Sequence, residues 1–335
     1  MKALVLKGPG NAVIEDVPEP IADSDRLLLK VRMVGLCGSD LKSYQGMNPL
    51  VSFPRILGHE VAATVDSALD GANIGTTNVA VSPYTNCGSC ASCRRNRPNA
   101  CQFNQTLGVQ RDGAMTEFIT MPKEKLFASK LMLKQLCLVE PLTVGFHAVA
   151  RGRVTCKDTV AVFGCGGVGL GAISAAHFCN GQTIAIDVDD DKLALARMAG
   201  ASHTINTSYE NLHNRLLDFT NGHGPDVVIE AVGLPETFRS AVDEVAFTGR
   251  VVYIGYAKEH VSYETRLFVQ KELDILGSRN ALPEDFRQVI SMLEQGTFPV
   301  NDAISAVIPL EDAPKALLEW SRHPARFTKI MVALN

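Results

Sequence analysis

Four cysteines stand in one short stretch, Cys87, Cys90, Cys93 and Cys101, spaced Cys-x2-Cys-x2-Cys-x7-Cys. Four thiolates gathered by two-residue spacings and one longer return suit a closed tetrahedral zinc site. The glycine, serines and proline between them mark a loop. A disulfide cluster is the competing reading, and it needs an oxidising compartment. The opening residues MKALVLKGPG place one lysine ahead of a four-residue apolar run, too short for a secretory signal. The thiols are therefore expected to stay reduced, in a cytoplasmic protein.

A second set of potential ligands is scattered. Cys37 lies in G-L-C-G-S-D, His59 and Glu60 in I-L-G-H-E, and Glu140 in V-E-P-L. A zinc that does chemistry takes three protein ligands of nitrogen, sulfur and oxygen type and keeps one position for water or substrate. Cys, His and Glu are the right types. Their spacing has no diagnostic value, so Cys37 reads equally well as a buried apolar thiol. His59-Glu60 reads equally well as an ordinary loop pair.

A third motif is glycine-rich: Gly164-Cys165-Gly166-Gly167-Val168-Gly169. It follows an apolar run, opens a helical pattern and stands 18 positions before the acidic Asp187. In that context G-x-G-x-x-G is a dinucleotide turn. Glycines allow the backbone to approach a pyrophosphate, and the helix N-terminus offers it free N–H groups. Asp187 is placed to accept hydrogen bonds from ribose hydroxyls, or to cap its own turn. A 2′-phosphate would meet Asp187, Asp189, Asp190 and Asp191 with only Lys192 opposing. That balance favours NAD over NADP.

These sites need elements to hold them. Residues 1 to about 125 read as β-rich, with short apolar runs (Ala3–Leu6, Leu27–Val34, Val61–Val65, Val79–Val81, Met115–Thr120) between Gly, Pro and Asn turns. From about residue 155 strands and helices alternate. Strands are expected at Thr159–Phe163, Thr183–Ile186, Asp226–Ile229 and Arg250–Ile254, and helices at Val168–Phe178, Asp191–Ala199 and Pro235–Val245. Such alternation implies a parallel sheet covered by helices. Helices at Pro283–Gln295 and Ala313–Trp320 and a closing strand at Lys329–Ala333 complete the chain.

The 335 residues carry a net charge of −4, which argues against bulk nucleic-acid binding. Arg94, Arg95 and Arg97 cluster, but on what reads as a solvated loop. No stretch approaches the roughly 18 apolar residues of a membrane span. The expected partner is a small molecule, with neither nucleic acid nor membrane.

Taken together, G-L-C-G-S-D (35–40), P-R-I-L-G-H-E (54–60), the cysteine lobe, D-G-A-M-T-E-F (112–118), V-E-P-L (139–142) and G-C-G-G-V-G (164–169) resemble the zinc-containing medium-chain dehydrogenase/reductase family over essentially the whole chain. The resemblance implies an α/β fold, a Rossmann doubly wound parallel sheet inserted in a GroES-like β-barrel catalytic domain. Residues 1–148 would form the catalytic domain with a structural zinc lobe at 85–103. Residues 149–280 would form the NAD-binding domain, and 281–335 would return to the first.

By the same resemblance Cys37 and His59 ligate a catalytic zinc, with Glu60 and Glu140 in the acidic places around it. Either glutamate could be the third ligand. Cys87, Cys90, Cys93 and Cys101 hold a second, structural zinc. Ser39 resembles the hydroxyl that receives the alcohol proton, and Asp40 would support the histidine ligand. Gly164, Gly166, Gly167, Val168, Gly169, Asp187 and Lys192 would contact NAD. A glutamate at position 140 resembles the polyol and threonine dehydrogenase branch. Two segments, 48–60 and 277–286, are similar to sugar-acid dehydrogenases of the L-galactonate or L-gulonate type.

The implied reaction is oxidation of a secondary alcohol of a sugar acid or polyol by NAD, in a homodimer or homotetramer. Arg279 and Asn280, and on weaker grounds Arg111, are candidates for substrate contact, since a bidentate arginine suits a carboxylate. A threonine-type or sugar-phosphate dehydrogenase is the alternative within the family, and a non-catalytic zinc and nucleotide scaffold the alternative outside it. The chain departs from the family pattern at Ala63, where glycine is usual, at Thr76–Val79, and at Lys42, where several relatives carry a relay histidine.

Overall fold

The computed structural model describes residues 1–65 and 77–334; Thr76 lies outside them. The chain divides into two compact units. One comprises Met1–Glu140, Leu282–Glu294 and Val300–Asn335, the other Pro141–Ala281 and Gln295–Pro299. The division falls inside one helix, Leu133–Arg151, between Glu140 and Pro141.

The first unit is built on strands. Its larger sheet runs Ala306–Pro309, Ile330–Ala333, Arg26–Leu36, Glu60–Val65, Thr77–Val81, Leu126–Ala128, with Phe118–Pro122 also paired to Arg26–Leu36. A smaller sheet orders Asn11–Asp16, Lys2–Gly8 and Arg55–Ile56. Inward Leu29 and Val31 and, past a register shift, Val34 and Leu36 of the long strand feed a core shared with Leu57, Val61, Met115 and Trp320. Ala63, at the departure from the family pattern, is fully buried opposite Val31.

The second unit is a six-stranded parallel sheet ordered His203–Asn206, Gln182–Asp187, Thr159–Phe163, Val227–Glu230, Arg250–Tyr253, Asp274–Gly277. The expected strands and helices of this region are present, each within about two residues of its expected ends. Their continuous apolar runs (TVAVF, VVIE) are what a strand buried on both faces requires. Chain order reverses between Thr159–Phe163 and Val227–Glu230, and ligands of such sheets bind outside the carboxyl ends of the strands at that point.

Candidate active site

Two neighbouring strands deliver the metal-type ligands of the first unit. Cys37 directly follows the strand Arg26–Leu36 and caps the helix Gly38–Tyr44 with extended backbone. Its N–H donates to Asp40 Oδ2 at 2.9 Å. The antiparallel partner strand begins at Glu60, and the register sets Glu60 opposite Gly35. Gly35 has to be glycine, because a Cβ there would come 2.0 Å from Glu60 Oε2. Gly58, just before His59, has φ +97°, and a Cβ on it would lie 2.8 Å from Met115 and Val34 carbons. Residues 113–115 bind this turn through three backbone hydrogen bonds to Ile56, Leu57 and Gly58 carbonyls. The D-G-A-M motif thus fixes where His59 stands.

The outcome is a tight group. One ligand atom each of Cys37, His59 and Glu60 lies within 4.8 Å of the others, with His59 and Glu60 buried. Ligand atoms around a tetrahedral zinc stand about 3.3–3.8 Å apart, from bonds of roughly 2.0–2.3 Å. The donor set and its spacing therefore fit zinc. His59 Nδ1 is 3.8 Å from Asp40 Oδ1, beyond hydrogen-bond distance but within ion-pair reach. Burial opposes charge on His59, yet Asp40 and Cys37 outweigh it and hold the imidazole well above its ordinary range. The surroundings favour positive charge at this spot.

Glu60 and Glu140, which the sequence left as alternatives, are treated differently. Glu60 belongs to the ligand group, and both its oxygens also accept from Lys329 Nζ at 2.6 Å. Glu140 lies outside the group and accepts from the Tyr84 hydroxyl. Burial holds the Glu140 carboxyl above its usual range against the pull of His59. Burial and Glu140 together push the Tyr84 phenol well up. Ser39 Oγ is buried and has no hydrogen-bond partner among the described residues. Ser39 stands in the first turn of the helix that Cys37 caps.

The other cysteine group is local. Cys90 Sγ stands 3.5 Å from Cys93 Sγ and 3.8 Å from Cys101 Sγ, at tetrahedral spacing and without a disulfide. Backbone N–H groups of Cys87, Cys90 and Phe103 point at sulfurs of the set at 3.3–3.4 Å. Hydrogen bonds from Ser92 and the Cys93 backbone lower Cys90 to about 5, while burial pushes Cys93 up to about 11. All four ligand atoms lie within 4.8 Å of one another, so these residues also fit zinc.

In the second unit the glycine turn separates into two kinds of glycine. A Cβ on Gly169 would fall 1.7 Å from Gly164 O, and Gly164 itself has φ +90°. Those two are demanded by the fold. Gly166 and Gly167 face open space, with nothing within 4 Å of an added Cβ. They leave a bare backbone cradle at the start of the helix Gly167–Phe178, which carries Val168 in its first turn. Asp187 accepts from Cys165 N–H at 2.7 Å through Oδ2, and from Val188 and Asp189 N–H through Oδ1. It ties the glycine turn to the end of its own strand. Asp189 caps the next helix by accepting from Asp191 and Lys192 N–H.

Known proteins share this two-unit architecture. Residues 23–130 match the alcohol dehydrogenase GroES-like domain and residues 167–295 the zinc-binding dehydrogenase family. The chain is 32% identical to sorbitol dehydrogenase of Bacillus subtilis, covering all of this chain and 98% of that one. The chain belongs to the zinc-type medium-chain alcohol dehydrogenases. L-Galactonate-5-dehydrogenase of Escherichia coli is 30% identical over 88% of each chain. Among solved structures, the alcohol dehydrogenase rspB of E. coli CFT073 complexed with NADH has TM-score 0.91 and 26% identity, covering 100% of this chain and 99% of that one. A zinc-binding dehydrogenase of Sinorhizobium meliloti bound to NADP has TM-score 0.90 and 28% identity over 99% of each chain.

The candidate substrate residues of this zinc-type dehydrogenase belong to both units, Arg111 to the first and Arg279 and Asn280 to the second. Arg111 donates to Pro83 O, and the charged neighbours that bear on it are Arg26 and Lys125. Burial and Arg26 lower it to about 10. Arg279 and Asn280 follow the edge strand Asp274–Gly277 in the second unit, Arg279 exposed and Asn280 in left-handed backbone at φ 53°. Lys42 is exposed.

Three contributors escaped the sequence reading. Lys329 reaches Glu60 across 269 positions. Tyr84 holds Glu140, and the Cys137 thiol donates to the Glu60 carbonyl from the helix that carries Glu140. The R-F-T-K-I-M tail carried the one legible hint, a lysine opening an otherwise apolar strand.

Proposed function

We propose that this chain is an NAD- and zinc-dependent dehydrogenase that oxidises a secondary alcohol of a polyol or sugar acid to a ketone. The observation that carries the reading is the convergence of Cys37, His59 and Glu60 beside the idle Ser39 hydroxyl. A zinc bound there would supply a Lewis acid able to bring a coordinated hydroxyl toward neutral pKa, as it brings water to about 7. NAD supplies the hydride acceptor.

The chain's own residues do the rest. Cys37 and His59 hold the metal, and Glu60 is the third protein ligand, held in aim by Lys329. Asp40 steadies the His59 ring through Nδ1, which leaves Nε2 for the metal. Ser39 takes the alcohol proton and passes it outward. The cysteine lobe is a closed site with a structural zinc. Gly166 and Gly167 leave room for the pyrophosphate, and Asp187 Oδ2, which accepts one N–H, keeps an acceptor place for the ribose. The acids at 187 and 189–191, opposed by Lys192, disfavour a 2′-phosphate. Arg279 and Asn280 contact the polar substrate. Ile275 is exposed on the edge strand Asp274–Gly277, and an exposed edge supports pairing of two copies in a dimer or tetramer.

The test is dinucleotide reduction by metal-replete protein against polyols, hexonates, hexitol phosphates and L-threonine, with NAD and with NADP. Reduction of NAD by a polyol or hexonate is expected. Silence across the panel sinks the reading, and turnover with NADP alone overturns the cofactor choice. Arg279→Ala should lower kcat/KM for hexonates more than for uncharged polyols. Equal values would remove the carboxylate role.

A further inference from the structure

Glu230 ends the central strand Val227–Glu230 and is fully buried. The other residues of that strand are Val, Val and Ile, and an aliphatic residue at its end would pack without desolvating a carboxylate. The carboxylate is there for other partners. Its Oε1 accepts from Val232 N–H at 2.9 Å and Gly233 N–H at 2.7 Å, with Thr237 Oγ1 at 2.7 Å. Its Oε2 presses on a neighbouring segment, 2.4 Å from where a Gly255 Cβ would stand. Its backbone carbonyl accepts from Ile254 and Gly255 N–H.

The segment that Glu230 gathers forms a wall beside the glycine turn. A Cβ on Gly164 would meet Val232 Cγ2 at 2.8 Å and Ala231 O at 3.3 Å. Ala231 N–H donates to Phe163 O, on the strand that leads into Gly164. Gly233 in turn packs against the backbone of Tyr256. Glu230 and Gly164 therefore flank the point where strand order reverses, the place such sheets use for ligands.

We propose that Glu230 is a positioning residue of the dinucleotide site, fixing residues 231–234 as the wall opposite the glycine cradle. The inference rests on the dinucleotide reading of the proposed function. Loss of the carboxylate frees the Val232 and Gly233 N–H groups, and residues 231–234 no longer hold one shape before the cofactor arrives. Binding then has to order them, at a cost in affinity.

The test measures NADH affinity of the full chain by fluorescence, together with KM and kcat. Glu230→Ala and Glu230→Leu, which lose the acceptor oxygens while emptying or filling their space, should each weaken NADH by about tenfold, the worth of one or two lost buried hydrogen bonds. KM for the dinucleotide should rise while kcat at saturation and zinc content hold, which a merely structural role would not produce. Should these variants fail to fold, Thr237→Val removes only one hydroxyl from the carboxylate and is expected to weaken NADH by about threefold. Folded variants that bind NADH as native protein does overturn the inference. Native protein that binds no NADH overturns the dinucleotide reading and this inference with it.

Discussion

The cysteine lobe and the Cys37–His59–Glu60 group lie in the same unit and would meet a metal in opposite ways. The lobe draws all its ligands from residues 87–101, and its four sulfurs are met by backbone N–H groups, by the Ser89 and Ser92 hydroxyls and by the field of Lys125. The other group is assembled from two strands and a distant lysine, and it carries its own counter-charge. Lys329 sits on Glu60, and Tyr84 sits on Glu140. The Glu60 and Cys37 charges outweigh the cost of burial and hold the Lys329 ammonium above the ordinary lysine range. On the proposed reading one site would need its ion to keep its shape, and the other would be shaped by the fold before an ion arrives.

Loss of the structural ion should have the largest effect. Cys93→Ser is expected to lower stability by at least about 5 kcal/mol, below the roughly 10 kcal/mol or more of structural zinc sites because the surrounding core remains. Urea unfolding and metal content check it. Fully stable yet inactive Cys93→Ser protein would reverse the two assignments.

Next is the counter-charge. In chelator-treated protein Lys329→Met leaves Glu60 buried without its cation and should cost about 3–5 kcal/mol. A shift under about 1 kcal/mol in the same titration would mean that the Glu60 group does not depend on its lysine.

Ser39→Ala should lower kcat by about 10²-fold, the low end for a positioned proton acceptor. Zinc content and melting temperature should not change. Unchanged kcat would remove Ser39 from the reaction.

The smallest effect concerns order rather than rate. Mild chelation should expose residues 87–101 to protease before any other described segment, since an exposed loop opens first once its tie is gone. Cleavage that begins elsewhere would show that the lobe keeps its shape without metal.

The same contrast explains what could be read from the sequence. The lobe was legible because its chemistry is written in local spacing. The parallel strands were legible because burial on both faces leaves unbroken apolar runs such as Thr159–Phe163. The Cys37–His59–Glu60 group was identified only through its resemblance to a family, because strand register brings those residues together and register is not visible in one sequence. It left Glu60 and Glu140 unranked; the strand pairing that sets Glu60 opposite Gly35 is what brings Glu60 beside Cys37. The helix Leu133–Arg151 went unread for a physical reason. It is buried on nearly all sides from Leu136 to Val149 and contains Pro141, so it shows no amphipathic period and carries a helix breaker.

The central claim is that the two clusters hold separate ions with separate tasks. Zinc content and turnover measured together on folded Cys37→Ser protein test it most directly. The account predicts one zinc per chain, retained by the lobe, native-like stability, and turnover lowered by at least about 10³-fold, as loss of several kcal/mol of Lewis-acid stabilisation requires. Two zincs per chain, or turnover near the native value, would contradict it.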